Sequence, residues 1–246
     1  MHSNNDNNSL FDGQLHCNQH RQGYRFSIDA VLLAHYISVK ANDRILDIGT
    51  GSGIISLILL YRHVDLLSEC SGVEIQKDLF DLVQSNMKKN NYEHKNNVFH
   101  CDVKNIKDYC LAESYDRVVC NPPFYPQNTG RNNLMSEANI ARHQKVGGLK
   151  DFLAGAAHAV KNRGSVYFIY PAELLAEFLA TATLCNLEGK KLRFIYNYPN
   201  SNKGAKLVLI KATKNGGKGL VVAEPLYIYA YKNGPYTPEV ETFYEK

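Results

Sequence analysis

Along the first half of the chain, short apolar runs ending in a carboxylate or amide alternate with segments of helical spacing. The strand candidates are Arg44-Ile45-Leu46-Asp47-Ile48, a run ending at Gly72-Val73-Glu74-Ile75, Val98-Phe99-His100-Cys101-Asp102, and Arg117-Val118-Val119-Cys120. Apolar runs of this length suit strands covered on both faces. Between them Ile54 to about Arg62 reads as an apolar helix. Asp78 to Asn90 reads as an amphipathic one, its faces marked by Leu79, Leu82, Val83, Asn86 and Met87 and its end by Asn90-Asn91. Later come a helix over Lys150–Lys161, a fifth strand at Ser165–Ile169 and a helix over Ala172–Asn186. Two strands, Lys191–Tyr198 and Ala205–Lys211, a last strand at Leu226–Tyr231 and a helical turn from Pro238 complete the pattern. The alternation predicts an α/β fold with a doubly wound, Rossmann-like sheet, mainly parallel with an antiparallel C-terminal strand pair.

The N-terminus adds a small extension. Residues 1–9 are Asn-rich and polar and are expected to be a disordered tail. Residues 10–40 read as a β-hairpin turning at Asp12-Gly13, then a helix over Ile28–Ile37 that Ser27 can N-cap. Residues 41–246 form the main domain, and no internal repeat is present. From Pro122 to about Gly148 no element is predicted, and a loop of that length in a compact domain is functional or disordered.

Chemistry concentrates where strands end. After Cys120 the chain reads Asn121-Pro122-Pro123-Phe124-Tyr125, and neither proline can donate to a strand ladder. Asn121 is therefore held at a strand's carboxyl end, the edge where open α/β sheets bind ligands. The Asn121 amide oxygen and the Pro122 carbonyl can each accept one N–H of a planar group bearing an exocyclic amine, while the Phe124 ring stacks on its face. The bland reading is a proline-braced turn. Asp47-Ile48-Gly49-Thr50-Gly51-Ser52-Gly53 joins a strand to a helix, and its glycines permit a sharp turn and close approach of a ligand. Such a loop alone also suits a dinucleotide. Asp47, however, would meet a pyrophosphate badly and an amino acid's ammonium well. Glu74, closing the next strand, can bind both hydroxyls of a ribose. Asp102 can accept from an adenine amine or simply N-cap the Val103 region. Asp47, Glu74, Asp102 and Asn121 together, with Gly49, Gly51 and Gly53, point to S-adenosylmethionine.

Composition is that of an ordinary soluble domain, with a formal net charge of +4. No signal-peptide apolar segment opens the chain and no run approaches a membrane span, so a cytoplasmic location is expected. The 6 cysteines include no CxxC pair, and His16-Cys17 with His20 is at most half a metal site, so no metal is expected. The charge is unevenly spread. Between Asn186 and Lys218, eight basic residues face Glu188 alone, which leaves the rest of the chain slightly acidic. A polyanion partner or a solvated face accounts for that segment.

From about Leu10 onward the chain resembles the bacterial adenine-N6 methyltransferases that modify position 37 of the valine tRNA. The resemblance rests on Gln22-Gly23-Tyr24-Arg25-Phe26-Ser27 running to Ala34, on Asp47–Gly53, on Asn121–Tyr125, on Ala141-Arg142, on the late basic strand pair and on Phe243-Tyr244. It implies methyl transfer from S-adenosylmethionine to the exocyclic amine of a tRNA adenosine, with Asn121, Pro122 and Phe124 at the reacting base. Arg142, Lys203 and Lys206 are the candidates for phosphate contacts, Arg142 alternatively forming a structural ion pair. Tyr24 and Phe26 are candidate lid or core residues. No obligate protein partner is evident. Asn-Pro-Pro-Phe also occurs in guanine-N2 methyltransferases of ribosomal RNA and its turn in protein-glutamine methyltransferases, so those acceptors stay open.

Overall fold

The computed structural model describes residues 5–20, 27–123 and 147–245. An antiparallel hairpin, β1 (Asn5–Leu10) and β2 (Leu15–His20), leads into α1 (Ile28–Tyr36). Then follow β3 (Asp43–Ile48), α2 (Ile54–His63), β4 (Leu67–Glu74), α3 (Lys77–Lys89), β5 (Val98–His100) and β6 (Tyr115–Cys120). The second half supplies α4 (Leu149–Ala159), β7 (Val160–Pro171), α5 (Leu175–Leu184), β8 (Leu187–Tyr196) and β9 (Leu207–Lys214). Two-residue strands β10 (Val221–Val222) and β11 (Leu226–Tyr227) and a short α6 (Pro238–Glu241) end it.

Strands β3 to β11 form one nine-stranded sheet in the order β10-β8-β9-β7-β6-β3-β4-β5, with β11 also on β8. Only β9 runs antiparallel to its neighbours, β7 and β8. The chain steps outward from β3 through β4 to β5, then returns to β6 on the other side of β3. That reversal opens a crevice at the carboxyl ends of β3 and β6.

Two buried clusters lie on the two faces of the sheet. One joins the hairpin, α1 and α2 to β3, β7 and β9 through Leu15, Leu33, Leu57, Ile58, Tyr167 and Leu209. The other joins α4 and α5 to the opposite face through Phe152, Leu153, Val118, Phe168 and Phe178. α2 is apolar all round because it is enclosed: every residue from Ile54 to Leu60 is buried. α3 buries Leu79, Leu82, Val83, Asn86 and Met87 and turns its charges outward.

Several expectations need correction. Strand β1 begins at Asn5, inside the stretch expected to be a disordered tail, because a full ladder with β2 runs from Asn5–His20 to Leu10–Leu15. Ser27 stands at the start of α1 without making a side-chain cap bond. β5 stops at His100, two residues short of Asp102. The last strand covers only Leu226–Tyr227 and runs parallel to β8; Ile228 and Tyr229 donate on to Tyr196 and Asn197 outside any named strand. β10 carried no signal beyond two valines.

What attaches the hairpin is a pair of asparagines on α3. The buried Asn86 amide donates to the carbonyls of Ser52 (2.9 Å) and Asn18 (3.1 Å), and its oxygen accepts from Asn18 N (2.9 Å). Asn90 one turn later accepts from His16 N (2.9 Å) and donates to His16 O (2.7 Å). Asn86 thus ties α3, the hairpin and the Gly-rich loop together. Asn86→Ala leaves a donor and two acceptors unpaired, the Ser52 carbonyl among them buried, so urea denaturation should show a loss of about 3 kcal/mol.

Candidate active site

The crevice holds a cleft of about 150 Å³. Its floor is the Gly-rich loop, where Gly49, Gly51 and Gly53 all adopt positive φ (73°, 61° and 82°) that side chains tolerate poorly. Gly49 and Gly51 line the cleft, as do Thr50 and Ser52. Gly53 serves packing instead. A Cβ there would stand 3.1 Å from Val83 and 3.3 Å from Met87, so its bareness lets α2 start against α3.

Glu74 braces this loop from the end of β4. Its carboxylate accepts from Gly51 N (3.0 Å) and Gln76 N (2.8 Å), and burial raises its pKa against the lowering effect of those bonds. Each carboxylate oxygen can take a further donor, so two vicinal hydroxyls remain acceptable partners. Asp102 also lines the cleft. Its Oδ1 accepts from Lys104 N (3.0 Å) and so N-caps the 3₁₀ turn Val103–Asp108, which does not engage Oδ2. The N-cap reading of Asp102 is therefore met through one oxygen, and the other remains able to accept.

Asp47 departs from its expected place. It is absent from the cleft wall, fully buried, and turned toward α2, where Oδ2 accepts from Thr50 Oγ1 (2.7 Å) and Ser56 Oγ (3.3 Å). Oδ1 is buried with no partner among the described residues. Burial raises this carboxyl to about 7, with the Glu74 charge adding to the shift. Asp47 supports the loop from behind.

Asn121 emerges from β6 onto the opposite wall, with Pro123 beside it, while Pro122 is buried and outside the lining. Apolar walls come from Ile75, Leu79, Val103 and Phe152. Cys101 also faces the cleft, but burial pushes its thiol up to about 12, which keeps it protonated. Ala30 of α1, Gln76 and Gly147 are lining residues that sequence reasoning missed. Gln76 had the best signal, standing directly between a strand end and a helix. Phe124, Arg142, Tyr24 and Phe26 lie outside the described residues.

The charge of the cleft is one-sided. Glu74 and Asp102 are its carboxylates, and no lysine, arginine or histidine among the described residues lines it. A phosphate finds no cationic partner among those residues, whereas a ligand with a cationic tail finds two carboxylates.

The basic segment does not form one face. Lys190 binds the carbonyls of Gly217 and Lys218, Arg193 forms a bidentate pair with Glu239 (2.6 and 2.8 Å), and Lys214 pairs with Glu113 (3.0 Å). Lys203 and Lys206 are exposed in the β8–β9 connection. Leu207 pairs with Pro171 at the carboxyl end of β7, so this connection lies along the same sheet edge as Asn121.

The methyltransferase small domain family model matches residues 25–190, well over half of the chain. The chain belongs to that family. A tRNA1(Val) (adenine(37)-N6)-methyltransferase of Trichodesmium erythraeum is 27% identical over 237 residues, covering 95% of this chain and 96% of its own length. The protein of the same name from Pasteurella multocida is 28% identical over 162 residues, covering 65% and 66%. Among solved structures, a predicted O-methyltransferase of Agrobacterium tumefaciens superposes with a TM-score of 0.70 at 19% identity, covering 87% of this chain and 94% of that one, a likeness of fold. As in other enzymes of this sheet type, the methyltransferase carries its cleft at the topological switch point.

A raised carboxyl makes stability pH-dependent. Asp47 binds its proton in the folded chain up to about pH 7 and in the unfolded chain only to about 3.8, so its contribution declines as pH rises between those values. Glu74 shifts the same way. In urea titrations without added ligand, Asp47→Asn should gain stability relative to the parent as pH climbs from about 4 to 7 and level off above. A difference that stays flat across that window would show that Asp47 carries no raised pKa.

Proposed function

We propose that this methyltransferase transfers the methyl group of S-adenosylmethionine to the exocyclic N6 amine of an adenosine in tRNA, at position 37 of the anticodon loop of the valine tRNA. The observation that carries the reading is a cleft at the sheet's switch point that places Glu74, Asp102 and Asn121 around one space beside the Gly-rich loop. Names of relatives covering nearly the full chain support the tRNA adenine acceptor.

The residues present fit the cofactor. Glu74 has lone pairs for ribose hydroxyls, Asp102 has a free oxygen for the adenine amine, and Ile75, Leu79, Val103 and Phe152 flank a ring-sized space. Gly49 and Gly51 let the backbone come close. The sulfonium and ammonium charges suit walls that hold Glu74 and Asp102 and, among the described residues, no base. When bound, S-adenosylmethionine supplies an electrophilic methyl group on sulfur.

The acceptor side falls to Asn121 and its neighbours. The Asn121 amide oxygen and the Pro122 carbonyl accept from the exocyclic amine, which aims its lone pair and stabilises the positive charge that develops on nitrogen. Phe124 stacks on the base, a contact worth about 1–3 kcal/mol. An anticodon-loop base is single-stranded, so its extrusion costs only about a few kcal/mol. The alkylated nitrogen is strongly acidic and releases its proton to water, so no side chain is needed as base. Arg142, Lys203 and Lys206 hold phosphates of the RNA backbone. Such a substrate places the protein in the cytoplasm.

The test is nucleoside mass spectrometry after incubating unmodified bulk tRNA with the protein and methyl-labelled S-adenosylmethionine. Label should appear in N6-methyladenosine, and Asn121→Ala should lower kcat by about 10²–10³ with tRNA affinity retained. Glu74→Gln should chiefly weaken cofactor binding. Label in N2-methylguanosine instead would overturn the adenine assignment; no nucleoside label, with cofactor binding confirmed, would overturn the tRNA assignment.

A further inference from the structure

A second cavity, of about 300 Å³, lies on the α1 face of the sheet, away from the cleft. The register explains its lining. Tyr167 on β7, Lys211 on β9 and Lys191 on β8 are direct neighbours across three strands, so their side chains share one face. α1 covers that row with His35 and Tyr36, and the C-terminal segment closes one side with Glu239 and Phe243, whose ring stacks on His35 at 4.5 Å.

The charges in this cavity do not balance. Arg193 is taken up by Glu239 through both carboxylate oxygens and by the Glu224 carbonyl. Lys191 and Lys211 have no carboxylate partner among the described residues; their ammoniums lie over the rings of Tyr36 (6.0 Å) and Tyr167 (5.8 Å). Burial, together with the Arg117 and Lys40 charges nearby, lowers the pKa of Lys211. Tyr167 is 1% exposed, and its hydroxyl lies beside Ser38, Ser165 and the Arg117 guanidinium without a well-formed hydrogen bond among the described residues. Lys191 is exposed and available, while the half-buried Lys211 ammonium and the poorly bonded Tyr167 hydroxyl carry costs that an anion in this space would relieve.

We propose that this cavity binds a phosphoryl oxyanion, held by the ammoniums of Lys191 and Lys211 and by the Tyr167 hydroxyl. The oxyanion belongs either to an RNA backbone or to a free phosphate or phosphomonoester; the chemistry of the contact is the same. The site stands independently of the tRNA reading, since it shares no residue with the cleft. Carboxylates of similar size are disfavoured because Glu239 already competes for the remaining cation, and a tetrahedral oxyanion offers one more acceptor to Tyr167.

The experiment measures inorganic phosphate binding to the full chain by thermal shift and calorimetry, against chloride at matched ionic strength. Phosphate should raise Tm by about 2–4 °C at saturating concentration. Lys211→Met should weaken phosphate at least about tenfold and Tyr167→Phe severalfold, because each removes one donor, charged in the first case. The thermal shift given by S-adenosylmethionine should be unchanged in both, which certifies the fold. No phosphate effect in the parent, or equal effects in parent and variants, would overturn the site. Filter binding of tRNA then assigns the source. Competition by phosphate, with weakened tRNA binding in Lys191→Met/Lys211→Met, gives the RNA backbone; phosphate binding that leaves tRNA affinity untouched gives a small phosphorylated ligand.

Discussion

Two buried carboxylates with no cationic partner among the described residues set the form of the site. Asp47 and Glu74 stand at neighbouring strand ends beneath the Gly-rich loop; burial raises both, and the Glu74 charge adds to the shift of Asp47. Charge in such a place is tolerable only when hydrogen-bonded or neutralised. Glu74 takes backbone donors from Gly51 and Gln76, and Asp47 takes the hydroxyls of Thr50 and Ser56. The loop is therefore folded around its acids: change either, and the backbone N–H of Gly51 or the turn at Thr50 loses its anchor. Glu74 also faces the cleft with Asp102, and two carboxylates there favour a cationic ligand.

That loop is also held from outside the sheet. Asn86 reaches from α3 to the Ser52 carbonyl and to both backbone groups of Asn18, so the hairpin, the loop and the helix share one polar junction in an otherwise apolar layer. Each group at such a junction is satisfied only while the other two are in place. The N-terminal hairpin is in this sense part of the cofactor site's support, although none of its residues lines the cleft.

Much of this was legible. The alternation of apolar runs and helical spacing gave the parallel order, because a strand covered on both faces has little choice but an apolar sequence. Positions at strand ends told which polar residues gather at one edge, and Glu74, Asp102 and Asn121 do gather there. Side-chain direction was not legible. Asp47 lies one residue before the end of β3, and the twofold alternation of a strand, together with Thr50 and Ser56, turns it inward. Strand β1 escaped notice because its sequence is polar, and its ladder with β2 comes from long-range pairing that composition cannot signal. The basic segment read as one feature, but a strand pair distributes alternate residues to opposite faces. Arg193 and Lys214 enter ion pairs, Lys191 and Lys211 meet on the α1 face, and only the connecting loop presents Lys203 and Lys206 at the edge.

This division of charge constrains how a polyanionic substrate approaches. A nucleic acid backbone cannot enter a cleft lined by Glu74 and Asp102, so on the proposed reading only a base, uncharged and planar, crosses from solvent to Asn121. Its phosphates must be held elsewhere on the same edge. The β8–β9 connection lies two to three strands from β6, about 10–14 Å at the usual strand spacing. A base extruded from its stack separates its reacting amine from its backbone, and the sheet separates acid from base in the same direction. On that reading the acidic cleft and the basic loop are complementary: the first would exclude the backbone and the second retain it. A single-stranded loop satisfies that geometry with less unstacking than a duplex, which is the physical reason for preferring an anticodon loop over paired RNA.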